Sequence, residues 1–225
     1  MTPRTRLLVP AVVLALSAVA CGSSDSSDVS GSADGAADSS ETETETETET
    51  ERAAEPLASG IIEVTGDPLP KLADSGDPTV GSPSPMATSV NFDGEPTAIA
   101  DDGRAKAIVF VAHWCPHCQD EVPVLVDWLD AGNKPDSVDF ITVVTAMDPM
   151  ASNYPPSEWL SDEGLDTPML LDDEDDTLAT AFGLSAFPFW VVVDGDGMVV
   201  VRTSGGLGTN GFEDLARAAL AGAEA

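Results

Sequence analysis

Positive charge is scarce in this sequence: 9 Lys and Arg stand against 40 Asp and Glu, a formal net charge of −31. Nucleic-acid phosphates would be repelled by such a surface, which excludes a nucleic-acid partner. Solubility is the plainer consequence of the acidity. Also missing from the N-terminus is an apolar run of the length a membrane span needs, about 20 residues. The stretch from Leu7 to Ala20 falls short of it. Residues 22–58 hold almost no large apolar side chains, so they cannot bury enough surface to offset their ordering entropy. Cysteine is rare too, with only Cys21, Cys115 and Cys118. A bridge between the last two would close so small a loop that it removes little unfolded-state entropy, which argues against a structural staple.

What is present begins with MTPRTRLLVPAVVLALSAVAC, where Arg4 and Arg6 precede the apolar run and small residues end it. That order describes a secretory signal. Ala18-Val19-Ala20-Cys21 resembles a bacterial lipobox, with Ala where Leu is usual. The resemblance implies that Cys21 is lipidated and becomes the mature N-terminus. The alternative is an ordinary signal cleaved nearby, leaving Cys21 a free thiol. After it comes a Ser/Gly-rich acidic stretch and the tract ETETETETET, whose like charges repel and extend the chain. The expected organisation is a signal over 1–20, a disordered acidic tether over 21–58 and a folded head over 59–225.

Within the head, residues 59–90 read as an irregular Pro-, Gly- and Ser-rich lead-in. AKAIVFVA (105–112) is a continuous β-rich apolar run, expected of a strand covered on both faces. Val122, Leu125, Val126 and Leu129 fall at helical spacing, with Pro123 expected to kink that helix and Gly132 near its end. VDFITVVTA (138–146) predicts a second buried strand. Ser157 is the expected cap of a helix over 157–164, PMLLD a short strand, and DDTLATAFG a helix ending at Gly183. FWVVV and MVVVR flank Asp194-Gly195-Asp196-Gly197, a hairpin signal. Asn210 and Glu213 then predict a capping box opening a last helix. This alternation implies an α/β fold, a mixed sheet with helices on both faces.

Between the first strand and its helix lies HWCPHC, His113 to Cys118. Two thiols and two imidazoles could make a zinc clip, yet all four donors lie within six residues, and zinc modules usually bring a second pair from elsewhere. The reading is therefore a redox pair, with no metal and no cofactor, and His113 is expected at the surface of a strand end. A thiolate is the attacking species. Cys115 would sit at a helix N-terminus, where the dipole favours negative charge, and His117 adds positive potential when protonated. Cys115 is thus the expected nucleophile. Cys118, one turn into the helix, is the expected resolving thiol. The carboxylates of 172–176 lack the spacing of a calcium loop and read as a solvated helix start. Trp128, Trp159 and Trp190 read as packing residues.

With Trp114-Cys115-Pro116-His117-Cys118 placed between strand and helix, the chain resembles thioredoxin-fold thiol–disulfide oxidoreductases. Pro123, five residues past the second cysteine, and Pro188 in AFPFW match that family's helix proline and cis-proline. GLSAFPFWVVVDGDGMVV and the insertion before PMLLD resemble its extracytoplasmic TlpA-like branch. The resemblance implies a thioredoxin fold, active-site tuning by Trp114, Pro116 and His117, and client binding at Phe187 and Pro188. It also implies extracytoplasmic client proteins with cysteines and a membrane redox partner. Two positions depart from the family: Val109 stands where thioredoxins bury an Asp, and Phe187 where Thr or Val is common. Direction stays open. Pro116-His117 resembles the dipeptide of oxidising enzymes, the TlpA-like scaffold resembles reductases such as those of cytochrome c maturation, and the balance leans slightly to oxidation. A metal-binding or client-binding module on the same scaffold would be non-enzymatic, and a pure binder would not need both cysteines.

Overall fold

Every residue from Ala105 to Val111 is buried, and the reason lies in how its side chains alternate. Ala107, Val109 and Val111 point into one apolar cluster, Ile108 and Phe110 into another on the opposite face. A strand with two covered faces has no polar side, which is why the run is apolar at every position but Lys106. The computed structural model describes residues 62–222. The expected signal, lipobox cysteine Cys21 and tether lie outside the described residues.

In chain order the elements are β1 (Glu63–Thr65), β2 (Met86–Val90), β3 (Pro96–Ile99), β4 (Ala105–Val111), α1 (Pro116–Asp130) and β5 (Val138–Val144). There follow α2 (Pro156–Asp162), β6 (Met169–Leu171), α3 (Thr177–Phe182), β7 (Phe189–Val193), β8 (Val199–Ser204) and α4 (Gly208–Gly222). The main sheet has the order β6-β5-β4-β7-β8. Its β4–β5 and β5–β6 pairs are parallel, while β4–β7 and β7–β8 are antiparallel. One face carries α1 and α4, joined through Trp128, Phe140, Trp190 and Phe212, whose ring centroids lie 5.2–6.4 Å apart. The other face carries α3 through Leu178 and Phe182. Helices on both faces of a mixed sheet are thus present, and α1 runs unbroken through Pro123.

Three expectations change. The lead-in is not irregular throughout, because β1, β2 and β3 form a second, antiparallel sheet. Its Ala87 and Ile99 complete the α3-side core. The α2 helix starts at Pro156, with Pro155 in the capping position, so Ser157 is inside the helix. Proline suits a first helical turn because its missing N–H would be unpaired there anyway. Likewise α4 starts at Gly208, which places Asn210 and Glu213 inside it and removes the capping box. The lead-in is tied to the head by Arg202, which makes a bidentate pair with Asp77 and donates to the carbonyls of Pro70 and Phe182. Gly183 ends α3 at φ 71°, and a Cβ there would collide with the Pro70 carbonyl, so both conformation and space demand glycine.

Candidate redox site

Past the end of β4, the Cys115 N–H donates to the Ala112 carbonyl at 3.0 Å and turns the chain into α1. Cys115 takes the N-cap position with extended backbone, φ −79° and ψ 118°. Its carbonyl accepts the N–H groups of Cys118 at 3.0 Å and Gln119 at 3.1 Å, the first bonds of the helix. The thiol therefore stands at a helix start, where the helix dipole favours an anion. Both cysteines are unbridged thiols. Both thiols are buried, but Cys115 keeps 6% exposure and Cys118 none, so only the first retains a surface toward solvent. Burial pushes the Cys118 thiol well above its ordinary range, and the charges of Cys115 and Glu121 add to the shift. His117 is exposed on the first turn of α1. Two thiols one turn apart, one reachable and one shielded, can attack and then resolve a disulfide in sequence.

Trp114 is 37% exposed, and its indole N–H donates to the Ala146 carbonyl at 2.7 Å. Phe187 meets that indole edge-on, with centroids 5.8 Å apart and planes at 85°. The Phe187–Pro188 bond is cis, and the Pro188 carbonyl accepts the Gly205 N–H at 2.8 Å. The fold thus brings Phe187, the residue before cis Pro188, against the tryptophan that precedes Cys115. Trp128, Trp159 and Trp190 are buried, as their packing role requires.

Sequence reasoning misplaced or missed three groups. His113 is not at the surface: it is wholly buried, with Nδ1 2.7 Å from the Ser152 carbonyl and Nε2 accepting the Asp148 N–H at 3.1 Å. Both nitrogens are committed, so His113 is no free metal ligand. Among the described residues no group of three or more His, Cys, Asp or Glu could hold a metal ion. Asp172 is not solvated either; it is buried and accepts the N–H groups of Leu178 at 2.7 Å and Ala179 at 2.9 Å, closing the start of α3. Glu121 was missed altogether. Val109 is buried in the α1-side core. The buried carboxylate close enough to act on Cys118 comes instead from Glu121, one turn further along α1. Its only sequence signal is a glutamate among helix positions that otherwise face the core.

A family model described as Redoxin matches residues 66–219. Among solved structures, a thiol:disulfide interchange protein of the thioredoxin family from Chlorobium tepidum TLS aligns with a TM-score of 0.52 at 23% identity, covering 62% of this chain and 96% of that one. A second Chlorobium tepidum structure, assigned as the thiol:disulfide interchange protein DsbE, aligns at 0.53 with 18% identity over 64% and 97% of the two chains. The dsbF structure from Mycobacterium tuberculosis, in mixed oxidized and reduced forms, aligns at 0.50 with 21% identity over 59% and 94%. At such identities the likeness establishes the thioredoxin-like fold. No curated protein matches the chain. No helix among the described residues is long and apolar enough to cross a membrane.

Proposed function

The chain belongs to the Redoxin family, and from that membership and the geometry of its thiols we propose that it is a thiol–disulfide oxidoreductase working through Cys115 and Cys118. In the reducing direction Cys115 attacks a client disulfide and Cys118 resolves the mixed disulfide; in the oxidising direction a client thiolate attacks Cys115 of the bridged pair and Cys118 leaves as the thiolate. The asymmetry of the two thiols carries this reading: one takes the N-cap position of α1 and keeps a small exposed surface, the other is wholly buried and held as a thiol. A stable Cys115–Cys118 bridge would staple nothing, so the pair is kept for its chemistry.

Trp114, Pro116 and His117 tune the pair, and Phe187 with cis Pro188 presents the surface on which an extended client lies. The clients are extracytoplasmic proteins with cysteines, and a membrane redox partner returns the Cys115–Cys118 pair to its starting redox state. The signal-like start supports this location, and Cys21 is the proposed lipid anchor. Mass spectrometry of the mature N-terminus decides the anchor: a lipid on Cys21 is expected, and an unmodified N-terminus beyond Cys21 refutes it.

The exposed His117 on the first turn of α1 favours oxidation, because positive potential beside Cys115 stabilises the reduced pair. The reductase alternative draws on the Glu121 carboxylate, which opposes a thiolate at Cys118. The equilibrium reduction potential against glutathione separates the two. A value near the oxidising enzymes, about −120 mV, supports the first, and one near thioredoxin, about −270 mV, the second.

A further inference from the structure

His113 is the imidazole that the thiol chemistry leaves unused, and it is completely buried. A buried imidazole is tolerated where both nitrogens find partners. A carbonyl only accepts, so the 2.7 Å contact with the Ser152 oxygen puts the proton on Nδ1. A backbone N–H only donates, so Nε2, 3.1 Å from the Asp148 nitrogen, carries the lone pair. These two partners specify the neutral Nδ1–H tautomer. The His113 carbonyl accepts the Gln119 side-chain amide at 2.8 Å and that of Asn153 at 3.4 Å. The Tyr154 ring stands edge-on to the imidazole with centroids 5.8 Å apart.

All of these partners except Gln119 belong to the loop between β5 and α2. That loop holds Ala146 at φ 51° and Asn153 at φ 58°, left-handed conformations that persist where the surroundings over-determine them. At its near end the Ala146 carbonyl takes the Trp114 indole N–H, and the Ala146 N–H donates to Asp176 at 3.2 Å. Ala146, Met147 and Asp148 then wall a cavity of about 300 Å³ whose other side includes Trp114. Adjacent residues thus grip opposite ends of one loop, Trp114 near the thiols and His113 in the interior.

We propose that His113 is a positioning residue for client recognition: it latches residues 146–154 into the wall that a polypeptide disulfide meets beside Cys115. This rests on the exchange reading above. A small disulfide reaches the Cys115 thiol without that wall, whereas a polypeptide lies along it. In the reducing direction, which both disulfide probes read, the Cys115 thiolate attacks one client sulfur, the client S–S bond breaks and the other sulfur leaves as a thiolate that takes a proton. Cys118 gives up its proton and displaces the first sulfur. The client gains two electrons and two protons, and the Cys115–Cys118 disulfide forms.

The tests use the whole protein with glutathione disulfide and a disulfide-bridged peptide as probes. Nitrogen NMR of the unmutated protein is expected to show Nδ1 protonated and Nε2 bare. In His113→Phe, which keeps a ring but no hydrogen bonds, the KM for the peptide and the Asp148 amide exchange rate should each rise roughly tenfold, the size of one net hydrogen bond. The rate with glutathione disulfide should stay unchanged. His113→Asn, which keeps a donor for Ser152, should recover part of the loss. The opposite tautomer overturns the latch, as does unchanged Asp148 exchange or peptide KM. Equal loss on both disulfides also overturns it, because that is what a general stability role would produce. If the unmutated protein reacts with neither disulfide, the exchange reading fails instead, and the tautomer and Asp148 exchange still decide the latch.

Discussion

The Glu121 carboxylate of α1 accepts the Leu207 backbone N–H at 2.7 Å, and its second oxygen takes the Gly208 N–H at 3.2 Å. The helix that carries the thiols therefore caps α4, the helix packed beside it. The same carboxylate adds negative potential at Cys118. One buried side chain links the packing of the face to the chemistry of the resolving thiol.

Glu121→Gln should separate those roles. It removes the charge while leaving an amide oxygen to accept one N–H. Burial, the larger cause of the raised Cys118 value, remains, so alkylation of Cys118 against pH should show a midpoint moved down only in part. Glu121→Ala removes both acceptors as well. Each buried donor left unpaired costs about 1–3 kcal/mol, visible as a lowered urea midpoint. A midpoint unchanged in Glu121→Ala would refute the capping account.

His117→Pro should make the pair more reducing. The imidazole is exposed on the first turn of α1, and its positive form stabilises the reduced state through the Cys115 thiolate. A change of about 30 mV corresponds to about 1.4 kcal/mol for this two-electron couple. Equilibration of wild type and variant with glutathione measures the difference. A potential that does not move would assign the tuning to the backbone at the helix start.

Asp77 supplies a pH dependence far from the thiols. Hydrogen bonding to the Arg202 guanidinium, at 2.7 and 2.8 Å, lowers its carboxyl from 3.8 to about 2. The folded value lies below the unfolded one, so this stabilisation is fully present above the unfolded value and is lost as pH falls through the folded one. Its size is about 2 kcal/mol, from 1.36 kcal/mol per unit. Asp77→Asn should lower the urea midpoint at neutral pH and flatten its fall below about pH 4. An unaltered acid limb would contradict the assignment.

Much of the fold could be read from the chain because its central strands are buried on both faces. Ala105–Val111 and Phe189–Val193 are apolar at every position except Lys106, a pattern otherwise seen only in the three-residue β6 among the described elements. The thiol pair was equally plain, with Pro116 and the helical spacing of Val122, Leu125 and Leu129 placing it at a helix start. The lead-in sheet was not, since β1 and β3 are only 3 and 4 residues long and show mixed burial. The start of α4 was misread because its cap is Glu121, 86 residues away in sequence, while Asn210 and Glu213 imitate a local one. His113 followed the same pattern. A histidine between an apolar strand and an exposed tryptophan reads as surface until a loop 35 to 40 residues later folds over it. Short-range patterns report local structure, and partners that come from distant loops leave no such trace.

The division of labour between the thiols is tested most directly by replacing Cys118 with serine and presenting the protein with a client disulfide. Without the resolving thiol, the attack by Cys115 should stop at the mixed disulfide. Mass spectrometry after acid quenching should then find the client bound covalently to Cys115, while Cys115→Ser gives no adduct. A Cys118→Ser protein that engages the client yet forms no covalent adduct would contradict exchange through this pair.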